Sequence, residues 1–313
     1  MERIPNTDLD VSGICLGGNV FGWTADRDDS FAVLDAYLDG GGNFVDSADS
    51  YSAFVPENSG GESESMIGEW LAARPGARER TVIATKVAKH PEFKGLAPDN
   101  VRAACDASLR RMGTDRIDLY YAHEDDPSVP LAEVLGTFGE LIEAGKVRHI
   151  AASNYSPERL AEALRVAEAE GLPRYVALQP HYSLVEREAF EGPLQDLARE
   201  QDLAVFPYWG LAKGFLTGKY RPGGGDVDSP RAGGASKYLE EDRGPKVLEA
   251  LDQVAAAHSA PVAAVAVAWL RAQPTVLAPI ASARNTEQLG PLIAAAELEL
   301  SEAEIERLTA ASD

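Results

Sequence analysis

The chain predicts an α/β fold, a parallel (β/α)8 barrel of the TIM type, on three observations. Eight short apolar runs rich in Val, Ile, Leu and Tyr alternate with segments of helical period. Their repeat is roughly 30 residues, the size of a strand, its crossover helix and the next strand. The hydrophobic fraction of 45% is ample for one large core. Crossovers of this kind are right-handed and bring successive strands side by side in parallel. A doubly wound open sheet is the competing architecture.

In order, strands are expected at 13–16, 43–46, 81–85, 117–121, 148–152, 175–179, 203–207 and 275–280. Helices are expected at 29–40, 62–73, 98–112, 130–144, 157–170, 190–201, 244–258 and 286–297. Some carry their own boundaries. Ser156 before Pro157 is a cap followed by a first-turn proline, and Gly145 ends the run EVLGTFGELIEA. Residues 2–12 read as a hairpin turning at Asn6 and Thr7, placed to plug the amino-terminal mouth. Beyond the eighth unit, Ser301 and Glu304 form a capping box that opens an extra C-terminal helix. The Gly- and Pro-rich piece 221–245 is either a surface loop or a flap over a ligand.

The 313 residues fit a single barrel domain over 1–313, because barrels routinely exceed ~250 residues as one unit. The net charge of -21, spread along the chain, argues against a nucleic-acid partner and implies that an anionic ligand needs local cations. No stretch approaches the roughly 18 apolar residues of a membrane span, so no membrane partner is expected. The polar N-terminus lacks the pattern of a secretory signal. Only Cys15 and Cys105 are present, each in an apolar run, which suits buried thiols and a cytoplasmic location. Oligomeric state is not legible.

The chemistry is written at strand ends. Asp46 closes GGNFVDS, Tyr51 follows five residues later, Lys86 closes TVIATK and His123 closes IDLYYAH. Barrel enzymes carry their catalytic groups at the carboxyl ends of strands, and neighbouring strands lie about 5 Å apart, so these four side chains should converge. A lysine there is costly unless paired, and Asp46 is the ready partner. The ammonium should lower the Tyr51 phenol from ~10 toward the working range, with His123 donating to the substrate oxygen or passing the proton. Reduction of a small-molecule carbonyl follows. No side chain supplies hydride, so a nicotinamide cofactor should bind across the barrel mouth. The GGNVFG run at 17–22 lacks the spacing of the open-sheet dinucleotide fingerprint. His90, His149, His181 and His258 read as structural or exposed.

Over nearly its full length the chain resembles the aldo-keto reductase family. The resemblance rests on NFVDSADSYS, IATK, LYYAH and GKVRHIAASNYSP. It implies Tyr51 as general acid, supported by Asp46, Lys86 and His123. It also implies that Ser153, Asn154 and Gln179 hold the nicotinamide carboxamide and that Tyr208 stacks on the ring. Gly210, Leu211 and Ala281 join the cofactor set, with Ser282, Arg284 and Gln288 at the adenosine end. Lys213 and Lys219 after the seventh strand, with Arg284 after the eighth, occupy the phosphate region of barrels. An arginine can pair bidentately with a 2'-phosphate, which favours NADPH, with NADH possible. The chain departs from the family pattern at Trp209 and Gly210, where Ser-Pro is common, and at Ala281, where Gly is common.

Trp23 and Phe54, in the loops after the first two strands, are the candidate walls of a substrate pocket. Two other readings compete with catalytic reduction: a regulatory barrel that binds cofactor with little turnover, and a metal-dependent lyase or hydrolase built on His123, Glu124, Asp125 and Asp126. No metal site is expected, because neighbouring loop residues alternate in direction.

Overall fold

The computed structural model describes residues 1–313 except Asp226 and Asp228. After a hairpin of β1 (Glu2–Arg3) and β2 (Asp10–Val11) come eight parallel strands: β3 (Cys15–Gly17), β4 (Phe44–Asp46), β5 (Val82–Val87), β6 (Ile117–Ala122), β7 (Val147–Ser153), β8 (Tyr175–Gln179), β9 (Ala204–Val205) and β10 (Ile280–Ala281). The sheet runs β10-β3-β4-β5-β6-β7-β8-β9. It closes on itself where Val205 bridges Val276 in parallel; Val205 donates to the Thr275 carbonyl at 2.9 Å and accepts from Leu277 at 3.0 Å. The result is a (β/α)8 barrel.

The helices around it are α1 (Arg27–Asp39), α2 (Glu62–Ala73), α3 (Ala77–Arg80), α4 (Pro98–Met112), α5 (Leu131–Glu143), α6 (Pro157–Glu170), α7 (Pro193–Glu200), α8 (Ala232–Ala235), α9 (Arg243–His258), α10 (Val262–Arg271), α11 (Thr286–Ala295) and α12 (Glu302–Ala311). Ser156 caps α6 by accepting from Arg159 N at 3.2 Å, and the Ser301–Glu304 capping box opens α12. Gly145 follows α5 at a φ of +72°, a conformation that glycine adopts without steric cost.

Strand alternation divides the core in two. One set of side chains (Ile83, Val87, Tyr120, Ala122, Ile150) packs outward under the helices. The other (Phe44, Val82, Ala84, Leu119, Tyr121, Ala151, Ala177) fills the barrel interior. Ile4, Leu9 and Val11 of the hairpin complete this inner cluster and seal the amino-terminal end. The turn is where Asn6 and Thr7 predict it: Asn6 has a φ of +60°, and Thr7 Oγ1 donates to the Ile4 carbonyl at 2.8 Å. Cys15 is inside the barrel and Cys105 under the helices, both buried and unpaired.

Three expectations change. The stretch after α9 holds a whole helix, α10, that carries no helical period because it is buried on every side from Ala263 to Leu270. The eighth strand, expected at 275–280, is reduced to the Val276 bridge and Ile280–Ala281, with Pro279 between them unable to donate to a ladder. The segment 221–245 is not wholly irregular: Ser229, Pro230 and Arg231 line the cleft at the barrel mouth, and α8 and the start of α9 follow. Asp226 and Asp228 of that segment lie outside the described residues. Among the described residues no single helix is long and apolar enough to cross a membrane; α9 and α10 pass by composition only as a pair bent by 97°.

Candidate active site

The inward-facing positions that fill the interior continue, two residues on, into the site. Phe44 leads to Asp46, Ala84 to Lys86, Tyr121 to His123, Ala151 to Ser153 and Ala177 to Gln179. Each polar group is thus the next inward residue above an apolar one, at the carboxyl end of its strand. Lys86 is fully buried, and its ammonium donates to Asp46 Oδ2 at 2.6 Å, to the Ser47 carbonyl at 2.7 Å and to Tyr51 Oη at 2.7 Å. All three of its N–H donors are engaged. Tyr51 Oη in turn donates to Asp46 Oδ2 at 3.1 Å, and Gln179 Nε2 donates to Asp46 Oδ1 at 3.0 Å. The Tyr51 and His123 rings stand edge to face, centroids 6.2 Å apart. The structure therefore brings all four strand-end residues together.

Their proton affinities differ from expectation at one point. Burial, and then the Asp46 carboxylate that accepts its hydrogen bond, push the Tyr51 phenol well above its ordinary value of 10.0. Lys86 does not reverse this, because its charge is shared with the carboxylate it neutralises. Burial also pulls the Lys86 ammonium below its ordinary value, with Asp46 opposing. His123 is held well below 6.5 by burial and by the charges of Lys86 and Lys89. Its Nδ1 is enclosed with no partner among the described residues, which leaves Nε2 as the nitrogen available to the cleft.

The cleft above Tyr51 has a volume of about 660 Å³. Of the residues expected to hold a cofactor, Ser153, Asn154, Gln179, Tyr208, Gly210, Leu211, Lys213, Lys219, Ala281, Ser282, Arg284 and Gln288 all line it. They are tied to one another: Ser153 Oγ donates to the Gln179 carbonyl at 2.8 Å, Asn154 Nδ2 to the His123 carbonyl at 2.8 Å, and Tyr208 Oη to Asn154 Oδ1 at 2.8 Å. Asn154 holds this position at a φ of +56°, a conformation Asn tolerates. Tyr208 is stacked on His181 at 5.3 Å and 12°, so its ring presents one flat face. Ser282 Oγ donates to Asn19 Oδ1 at 2.5 Å, and Gln288 Oε1 accepts from Arg284 N at 3.2 Å.

Trp23 lines the cleft as expected, but Phe54 does not. It is 66% exposed and stands edge-on against Trp23, centroids 4.9 Å apart, so it props the wall from outside. Sequence reasoning missed Asn19, Lys89, Trp209 and Arg231 in the lining. Trp209 adopts a φ of +56°, an outlier for a bulky residue, and Lys213 Nζ lies 4.7 Å over its ring. No local pattern marks Arg231, which lies in the Gly- and Pro-rich segment. The acidic run after His123 is engaged elsewhere: Glu124 pairs with Lys89 at 3.2 Å, Asp125 with Arg159 at 3.0 Å, and Asp126 accepts from Leu96 N at 2.8 Å. Among the described residues no group of three or more His, Cys, Asp or Glu side chains is arranged to hold a metal ion.

Comparison with known proteins agrees with this geometry. The model of the Aldo/keto reductase family matches residues 13–313. The chain belongs to that family. The reductase is 33% identical to Protein tas of Escherichia coli (97% of this chain, 96% of that protein). It is 34% identical to the Uncharacterized oxidoreductase YrpG of Bacillus subtilis (94% and 90%) and 33% identical to the Aldo-keto reductase str7 of Strobilurus tenacellus (91% and 81%). Its reaction class is accordingly NAD(P)H-dependent reduction of a carbonyl group.

The lining fits such a cofactor. A flat aromatic face and the cations Lys213, Lys219 and Arg284, all lining one cleft, suit a ring joined to phosphates. Arg221 and Arg243 of the same region pair with Asp252 and Glu188, whereas no ion pair among the described residues involves Lys213, Lys219 or Arg284. Lys219 is pulled below its ordinary value by burial and by the like charges of Arg284 and Arg231.

Proposed function

We propose that this reductase converts an aldehyde or ketone to the alcohol with NADPH in preference to NADH, and that Tyr51 delivers the proton. The observation that carries the reading is the buried hydrogen-bonded set of Lys86, Tyr51 and Asp46 beneath a cleft lined by His123. The cofactor supplies the hydride. Tyr51 holds its proton through neutral pH because burial and Asp46 raise its affinity, so the acid is loaded before the carbonyl arrives. Lys86, hydrogen-bonded to the phenol oxygen, stabilises the phenolate as the proton leaves. His123 is neutral and offers Nε2 to the carbonyl oxygen. Asp46 aims Lys86 and, through Gln179, ties the site to β8.

Three cleft cations with no ion-pair partner among the described residues, Lys213, Lys219 and Arg284, support the NADPH preference, since a 2'-phosphate adds negative charge for which they provide a counterpart. The continuous outer core from Ile14 to Leu308 supports one unit over 1–313, and two buried unpaired thiols fit the cytoplasm. The net charge of -21 supports a small-molecule partner over a nucleic acid. A panel of aldehydes and ketones, assayed with NADPH and NADH at the absorbance of the reduced nicotinamide, tests the assignment. Tyr51→Phe should keep NADPH binding and lower kcat by roughly 100-fold or more. Reduction unimpaired in that variant removes Tyr51 from the mechanism, and absence of turnover on the whole panel favours a regulatory role.

A further inference from the structure

The hydrogen bond from Tyr208 does not set the plane of its ring. Oη donates to Asn154 Oδ1 at 2.8 Å, but Oη lies on the axis about which the ring turns, so the bond holds that axis and leaves rotation about it free; this torsion is broad in tyrosine. His181 stops the rotation. Its imidazole lies parallel to the phenol ring, centroids 5.3 Å apart and planes 12° apart. The backbone keeps the two in register: on either side of His181, Tyr208 N donates to the Pro180 carbonyl at 2.9 Å and Tyr182 N to the Tyr208 carbonyl at 3.5 Å. Trp209 then stands across both rings, 5.0 Å and 86° from His181 and 5.6 Å and 74° from Tyr208. Its backbone, at a φ of +56°, is an outlier of the kind that persists only where the surroundings hold it, and this interlocking of rings is such a hold. Tyr208 and Trp209 line the cleft, and His181 stands behind them. His181 Nε2 is enclosed with no partner among the described residues, so that nitrogen does not anchor the imidazole. Burial pulls its ionisation below 6.5, with Lys213 adding to the effect and Glu186 opposing it, so the contact is one between neutral rings.

We propose that His181 is a positioning residue for the cofactor: by fixing the plane of Tyr208 it presents the nicotinamide with a flat face already ordered before binding. This rests on the reductase reading above. Rotation that is stopped in the free protein does not have to be stopped by the ligand, so its entropy cost is removed from binding. The effect belongs to the nicotinamide ring alone, because a flat aromatic face offers nothing to phosphates.

The test compares two ligands by titration calorimetry: NADPH, and 2'-phospho-ADP-ribose, which is the same molecule without the nicotinamide. His181→Ala should weaken NADPH roughly 2- to 12-fold, the scale of one aromatic pair, and leave 2'-phospho-ADP-ribose unchanged. His181→Phe, which keeps a flat ring behind Tyr208, should restore NADPH binding. In a Tyr208→Leu background, His181→Ala should cost nothing further, because the plane it fixes is gone. Equal losses for both ligands overturn the proposal, since they make His181 a support of the whole cleft, and so does a loss that persists in full without Tyr208. Wild type that binds NADPH no more tightly than 2'-phospho-ADP-ribose also overturns it. Turnover on the carbonyl panel separates the two readings: a loss confined to NADPH in a protein that reduces nothing supports the role of His181 while the reductase reading fails, and equal losses in an active reductase do the reverse.

Discussion

Asp49, between Asp46 and Tyr51, should make the protein less stable as pH rises through neutrality. Its side chain is fully buried, and neither carboxyl oxygen has a partner among the described residues. Burial first, then the neighbouring Glu64, push its pKa from 3.8 up to about 8. Between those values the unfolded chain carries a carboxylate and the folded chain a carboxylic acid, so folding takes up a proton. Stability from this group is fully present below about 3.8 and is lost progressively up to about 8, at about 1.4 kcal/mol per pH unit. Asn keeps the shape but cannot titrate. Its unpaired amide adds a fixed cost of about 1–3 kcal/mol, whereas the stability of Asp49→Asn relative to wild type should rise by about 3 kcal/mol between roughly pH 5 and pH 7.5. Urea unfolding followed by fluorescence at four pH values across that range measures the difference. A difference that does not vary with pH would show Asp49 to be ionised in the folded state, and the reasoning from burial would fall.

Three further outcomes follow from the site. Arg284→Ala should weaken NADPH roughly 10- to 150-fold and spare NADH; equal losses, measured by fluorescence quenching, would mean that Arg284 holds its loop rather than reading a phosphate. Lys86→Met leaves the buried Asp46 carboxylate with Tyr51 and Gln179 as its side-chain donors among the described residues, at a cost of about 3–5 kcal/mol; in urea unfolding the double variant Asp46→Asn/Lys86→Met should be the more stable of the two. Because His123 is held neutral from well below 6.5 and Tyr51 keeps its proton beyond 10.0, kcat/KM for reduction of a neutral aldehyde should be flat from about pH 7 to about pH 9. An inflection near pH 8 that vanishes in Tyr51→Phe would contradict the direction assigned to the phenol.

The barrel and the four strand-end residues are legible in the amino-acid pattern, because both depend on short-range regularities. A period of two, repeated at the spacing of one crossover, sets which side chains face inward, and a polar residue at the end of such a run has nowhere to go but the mouth. Where that regularity lapses, the sequence carries no such signal. The helix Val262–Arg271 was invisible because a helix buried all round has no polar face to set its period. The direction of the Tyr51 pKa was decided by tertiary structure: residue types at a given spacing say that an ammonium is near, but not that burial and the Asp46 carboxylate outweigh it. Phe54 and Arg231 show the same division. Both lie in loops, where sequence position does not set side-chain direction. Only the packing against Trp23 places Phe54 outside the cleft and sets Arg231, from a segment with no motif of its own, over the Trp23 ring in the cleft lining.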